Sequence, residues 1–352
     1  MKKMFIIICL CMFFCGCFDY KELNDCLIIA GVGIDKSDDG YLVTYEIMDT
    51  EKEEDFPSLK KNYVTGKGKT IAQAFHDVNL SLSKEPILSH IKVVIFGEEL
   101  ARSGLKEVLS YFLFDPQIHN IFYPILAKGK AKDLMRDTPK ISSSIQNMID
   151  YNENLFSFVS KQTFTTFLDS ILDEDVDGIM NMVSKENEQV VLSGLGLFYK
   201  DSLKAILEEK DASMLQILKN VSRSYLYKVQ PSQHCYTLLN TSPRQNRNIQ
   251  YQEDKIVFQT FLNASIDENN CDINFRDSKT YDDLERISAE ELSKEFAALY
   301  NKLQTWKCDV LGIQKDYYMK TKMKLNDWYD YDIEFVSDVK VNKSGLLFEV
   351  KL

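Results

Sequence analysis

Apolar and polar positions change rhythm several times along this chain, and each rhythm predicts an element. Residues 4–14 are eleven consecutive apolar residues behind Lys2 and Lys3. Residues 27–34 and 41–48 are apolar-rich and joined by a turn over 36–40 that ends in Asp-Gly, which predicts a β-hairpin. The stretch 51–69 is charged and polar around Pro57 and reads as an exposed loop. Thr70 is a good helix N-cap, and Ile71, Ala74, Phe75, Val78 and Leu82 behind it repeat at helical spacing. A continuous apolar run over 91–96, between His90 and Gly97, suits a strand buried on both faces. Residues 98–114 predict an amphipathic helix that Gly104 weakens, and 121–127 predict a strand that Pro124 places at an edge or a bulge. This alternation of strands and helices predicts a mixed α/β layer.

From 137 to 188 strand signals vanish. Residues 142–151 and 163–172 read as short helices and 172–178 as an acidic loop, a small helical subdomain or a linker. The polar run 184–189 marks the expected boundary between an N-terminal domain, 27–188, and a C-terminal domain, 189–352. Beyond it, 190–199 and 203–208 predict a hairpin, 211–219 a helix, and 224–229, 235–239, 255–264 and 271–275 strands. The longest helical signal runs over 281–306, with Leu284, Ile287, Leu292, Phe296, Leu299 and Leu303 on one face. Its acids come early and Lys294 and Lys302 late, as the helix dipole favours. Residues 331–341 and 345–351 predict two closing strands. The fold class that follows is α+β and multi-domain. A mixed α/β domain is followed by an α+β domain with a mostly antiparallel sheet and one long helix.

The apolar run at the start is a secretion signal, charged at its head and ending in small residues. It is shorter than the roughly 20 residues that span a bilayer. Phe14-Cys15-Gly16-Cys17 resembles a lipobox, whose cysteine takes a diacylglycerol thioether before cleavage. Residues 1–16 are then the signal, Cys17 the lipidation site, and 17–26 the lipidated terminus and its tether. Stable anchoring takes more than one acyl chain, so a multiply acylated Cys17 holds the protein on the outer face of a membrane.

Composition narrows the partners. Of 352 residues, 42 are basic and 53 acidic, and loss of the signal removes two lysines, moving the formal charge from −11 to −13. Such a body is repelled by phosphate backbones and anionic headgroups, which argues against nucleic acid and against a polybasic membrane contact. Cys26, Cys235, Cys271 and Cys308 remain in the body in no C-x-x-C pair, and four buried free thiols are expected rather than a bridge.

No catalytic or cofactor set emerges. His76, His90, His119 and His234 form no zinc spacing, and Ser193 lacks the nucleophile-elbow context. Gly31-x-Gly33 has Lys36 where a dinucleotide fingerprint needs its third glycine, so close strand packing explains the pair. Asp173-x-Asp175-x-Asp177-Gly178 imitates the opening of a calcium loop, but its twelfth position is Ser184, which favours a solvated acidic loop. Tyr317, Tyr318, Trp328, Tyr329 and Tyr331 pack the last sheet or form a docking surface.

Three stretches carry a family likeness. Gly16-Cys17-Phe18-Asp19 is followed by Glu22-Leu23-Asn24 and Gly31-Val32-Gly33-Ile34-Asp35. His90-Ile91-Lys92, Gly97-Glu98 and Ala101-Arg102-Ser103-Gly104 stand in the middle. Gly194-Leu195-Gly196-Leu197-Phe198 and Asp309-Val310-Leu311-Gly312, with Trp328, stand in the second half. In this order they resemble the Ger(x)C family, lipoprotein subunits of spore germinant receptors. The chain departs from the family at Phe114-Asp115, where Arg-Asp is usual, at His119, where arginine is expected, and at Phe18, where Trp is usual. The resemblance implies a lipoprotein facing outward from the spore inner membrane, beside two integral membrane subunits of the same receptor. It implies no catalytic residues and no cofactor. Two rival readings are a solute-binding lipoprotein that captures a small-molecule nutrient and an exported cell-wall hydrolase.

Overall fold

The computed structural model describes residues 26–48, 63–152, 158–221, 224–232, 235–252, 255–271, 277–325 and 327–342. The signal, Cys17, the tether to residue 25, residues 272–275 of the expected strand 271–275 and the expected strand 345–351 lie outside the described residues.

Strands β1 (Cys26–Ser37) and β2 (Gly40–Ile47) form the expected antiparallel hairpin. Beside β2 lies β3 (Tyr63–Gly68), an edge strand inside the stretch expected to be loop. Its sequence lacks an apolar rhythm because its glycines serve close approach. A Cβ on Gly66 would lie 2.3 Å from the Val78 nitrogen, and one on Gly68 would lie 2.3 Å from the Ala74 nitrogen. Both atoms belong to α1 (Ile71–Leu80), which starts with a capping box between Thr70 and Gln73.

The short β4 (Glu85–Ile87) runs parallel to the start of β1, with Cys26 opposite Glu85. Strand β5 (Val93–Gly97) is buried at every residue. The expected single helix 98–114 is two, α2 (Glu98–Ser103) and α3 (Lys106–Phe114), broken at Gly104 with φ +113°. Strand β6 (Tyr123–Ala127) pairs with β5, and Pro124 therefore stands inside the sheet and not at its edge. The hydrogen bonds explain the tolerance. Tyr123 N donates to Lys92 O toward β5 and Lys128 N to Val183 O on the other side, so alternation turns the Pro124 nitrogen away from β5. On that side pairing begins only at Ile125, and no ladder bond is lost.

Helices α4 (Ala131–Asp137), α5 (Ile141–Asn152) and α6 (Phe164–Leu172) precede β7 (Gly178–Glu186), a strand the sequence reading omits. Buried Asn181 and Ser184 break its apolar run. Strands β8 (Gln189–Tyr199) and β9 (Ser202–Glu208) then complete a nine-stranded sheet in the order β3-β2-β1-β5-β6-β7-β8-β9, with β4 beside β1. The boundary expected at 188/189 falls in the β7–β8 turn, where Asn187 and Glu188 are left-handed, so strands from both sides share one sheet.

Helix α7 (Glu209–Leu218) leads to β10 (Tyr225–Ser232), β11 (Cys235–Pro243), β12 (Asn248–Tyr251) and β13 (Lys255–Asn269). The expected long helix is α8 (Ser278–Trp306), followed by α9 (Ile313–Thr321) and β14 (Asp332–Val341). The second sheet is antiparallel apart from the β13–β14 pair. Successive stretches of one edge of β13 take β12 and β11, and the other edge takes β14.

Side chains alternate along β5, sending Val94 and Phe96 into one core and Val93 and Ile95 into another. The first core is aromatic, with Phe75, Phe112, Phe122 and Phe164 in contact. The second continues through α7, buried at every residue from Ala212 to Leu218, into Phe258 and Phe296 of the second sheet. One apolar core thus spans both sheets.

Candidate functional site: the polar junction between the sheets

Three helices in this fold start on a buried carboxylate. Asp35 accepts from Ala131 N and Lys132 N, each at 2.8 Å, at the start of α4. Glu46 accepts from Ser142 N at 2.9 Å near the start of α5. Negative charge at a helix start meets unpaired N–H groups and the positive end of the dipole. The glycines beside Asp35 let those helices approach. A Cβ on Gly31 would lie 1.8 Å from Ser142 Oγ, and one on Gly33 would lie 2.4 Å from Met135 Sδ. Close packing, and not phosphate binding, accounts for Gly31-x-Gly33.

The third carboxylate, Asp309, organises the candidate site. It accepts from Ile313 N and Gln314 N, each at 2.9 Å, and so holds the start of α9 behind left-handed Gly312. Its own N–H donates to Asp177 Oδ2 at 2.6 Å, while Asp177 N donates to Asp309 O at 3.1 Å. Asp177 immediately precedes β7 of the first sheet, so this reciprocal pair bolts the two regions together. Lys219 Nζ, at the end of α7, donates to Val310 O at 2.8 Å. Arg247, just before β12, donates to Leu218 O at 3.0 Å and Leu311 O at 2.8 Å. The Cys308 thiol points to Phe198 O at 3.6 Å.

Two carboxylates and two cations are thereby gathered out of water. Burial pushes Asp177 up to about 6 and Asp309 up to about 7, against the backbone N–H bonds that favour their charged forms. Burial likewise pulls Lys219 down to about 8, raises the Cys308 thiol, and lowers Arg247. The carboxylate oxygens are occupied by backbone N–H groups and, at Asp177, by the Cys308 thiol as well, and the cations by carbonyls. The arrangement fixes loop 308–312 and through it the register of the two sheets.

Beside the junction lies a pocket of about 320 Å³ lined by Ser160, Gln162, Asp177, Gln216 and Lys219 among others. The buried Oε1 atoms of Gln162 and Gln216 accept no hydrogen bond.

The residues singled out in the sequence are placed as follows. Cys17 and His234 lie outside the described residues. The calcium-like acids diverge: Asp173 accepts from Lys315 at 2.6 Å, which lowers its pKa, while Asp177 turns to Asp309. Among the described residues no group of three His, Cys, Asp or Glu could hold a metal ion. His90 Nδ1 is 3.0 Å from Ser89 Oγ, while His76 lies on α1 and His119 in the loop before β6. Trp328 is buried against Tyr300, Tyr317 packs on Tyr251 at 4.9 Å, and Tyr318 is exposed.

The expectation of four free thiols is corrected. Cys235 and Cys271 form a disulfide, Cα–Cα 4.9 Å, while Cys26 and Cys308 are free and buried. The antiparallel β11–β13 register sets Thr237 opposite Asn269, and continuing it by two residues brings the cysteines together. A separation of 36 residues in sequence conceals that pairing. Lys219 and Arg247 were also missed, because a lone cation marks nothing until its carbonyl partners are known. For Asp309 a local signal existed: an acid three residues before a glycine, with a helix behind it.

Comparison with known proteins places this architecture. The family profile "Spore germination protein N-terminal domain" matches residues 19–185, and "Spore germination B3/ GerAC like, C-terminal" matches residues 193–345. The chain is similar to spore germination protein GerQC of Bacillus cereus, 22% identical, with 98% of this chain and 99% of that protein covered. It is similar to spore germination protein B3 of Bacillus subtilis (strain 168), 34% identical over 125 residues, 34% of this chain and 33% of that protein. The crystal structure of the GerBC protein has the same fold, with TM-score 0.54 and 15% identity, covering 88% of this chain and 96% of that one.

Proposed function

The chain belongs to the Ger(x)C family of spore germination proteins, and from that premise we propose that it is the lipid-anchored, non-catalytic subunit of a nutrient germinant receptor. Acyl chains on Cys17 tether it to the outer face of the spore inner membrane. Its folded body acts by contact with the integral membrane subunits of the same receptor, and no cofactor or nucleic acid takes part. The observation that carries the reading is the succession of both family profiles, in order, from residue 19 to residue 345. The acidic body and the lipobox support it. Among the described residues no helix is long and apolar enough to cross a membrane. The junction around Asp309 suits a contact protein, because its reciprocal hydrogen bonds join the two sheets.

Replacing Cys17 by Ala tests the tether: the variant is expected to leave the membrane fraction and to lower germination by nutrients. Normal germination from a membrane-located variant would contradict it. Isolating the tagged protein from spore membranes is expected to bring the integral subunits with it.

The pocket beside the junction favours a second reading, capture of a small polar solute. Unpartnered Gln162 and Gln216 oxygens want donors, and the Lys219 ammonium would meet an anionic group. Calorimetric titration of the purified protein with candidate nutrients, heat in the native protein and none in Gln216→Leu, would support it.

A further inference from the structure

Three of the most exposed apolar side chains around the first sheet collect at one end. Leu80, Phe114 and Ile121 are 71%, 80% and 74% exposed. Leu80 is the last residue of α1, Phe114 the last of α3, and Ile121 lies in the turn that enters β6. Strands β1, β5 and β6 run parallel, so the ends of helices that lead into them gather at the N-terminal edge of the sheet. The chain enters at that same edge. Cys26 stands opposite Glu85 and Leu27 opposite Pro86, and Pro86 lines an open pocket together with Asn79 and Phe114.

The length of the tether limits where this edge can be. Nine residue steps separate Cys17 from Cys26, and at about 3.3–3.6 Å per extended residue they reach roughly 30 Å. An acylated Cys17 sits at the boundary of head groups and hydrocarbon, so the edge that carries Cys26 lies within that distance of the bilayer. Charge does not draw it closer, because the mature body is acidic. Protruding Leu, Phe and Ile side chains do, since they leave water for the acyl boundary as an amphipathic surface does.

We infer that this edge rests on the lipid surface, with Leu80, Phe114 and Ile121 inserted among the head groups. The three side chains and the acyl chains then hold the sheet at a set orientation to the membrane subunits. The inference rests on the anchored reading of Cys17. Lipid is the occupant because the three residues stand on two helix ends and a turn at the edge where β1 begins, and a short tether presents that edge to the bilayer first.

Fluorescence of the acylated full chain on vesicles of phosphatidylethanolamine and phosphatidylglycerol tests it. A nitrobenzoxadiazole label on Phe114→Cys is compared with the same label on Val336→Cys in β14. Labelling is selective, because Cys26 and Cys308 are buried and Cys235 is bridged to Cys271. The label at 114 is expected to shift to the blue and to be quenched by nitroxide-bearing lipids, and the label at 336 to do neither. An unshifted, unquenched label at 114 on vesicle-bound protein overturns the inference while leaving the anchor intact. So does a shift that appears only when the membrane subunits are reconstituted alongside, which assigns the edge to a protein. Failure of the chain to bind vesicles, with an unmodified Cys17 by mass, removes the anchor and this inference together.

Discussion

In the nine-stranded sheet β5 and β6 expose no residue on either face, whereas in the five-stranded sheet β14 alternates buried and exposed positions under α8. The two regions hide apolar surface differently. Strands of the first feed two cores, one per face, and read as unbroken apolar runs. Strands of the second feed one core and leave the other face to water, and they carry the disulfide. A sheet covered on one side buries less apolar area per residue. It gains from a covalent link that narrows its unfolded ensemble and from the shared helix α7.

Several substitutions would break or sharpen this contrast. Phe258→Ala, in the core common to both sheets, is expected to destabilise by about 3–5 kcal/mol. Because α7 belongs to both regions, chemical denaturation should still show one transition; two separated transitions would mean that the sheets fold independently. Replacing Cys235 and Cys271 by Ser should remove about 3–4 kcal/mol, the value expected for closing a loop of this length. An unchanged denaturation midpoint would show that the one-sided sheet does not need its link.

At the junction, Asp309→Ala leaves the Ile313 and Gln314 N–H groups without acceptors and should cost about 1–3 kcal/mol. The pH dependence there has a definite sign. Asp177 and Asp309 titrate near 6 and near 7 in the folded chain and near 4 in the unfolded chain. Between these values the folded form holds more protons, so their contribution to stability is full below about pH 4 and is lost as pH rises through 6 to 7. Asp309→Asn should flatten that decline in thermal melts across the range, and an unaltered slope would show that Asp309 does not titrate there. The smallest effect is expected at Thr70→Ala, roughly 1 kcal/mol for the capping box of α1, in the region already held by two cores.

Much of this fold is legible along the chain. Strand β1 with its turn into β2, helix α1 behind Thr70 and the long helix α8 follow from periodicity and capping, because a residue and its neighbours within a turn suffice to define them. Strand β3 was hidden because its glycines answer to a helix backbone and not to burial. Strand β7 was hidden because buried Asn181 binds the backbone of Ser160, so polarity there reports a hydrogen bond and not exposure. Pro124 misled for a related reason, since its place depends on where a neighbouring strand begins to pair.

Sequence alone determined most of the element types, the acidic balance and the family likeness, all of which rest on spacing within a few residues or on composition. Tertiary structure decided the Cys235–Cys271 bridge, the pairing of Asp177 with Asp309, the clamp of Lys219 and Arg247, and the placing of Leu80, Phe114 and Ile121 at the edge of the first sheet where β1 begins. Each of these joins positions that only strand register and helix packing bring near, and distance in space between remote residues leaves no periodic trace along the chain.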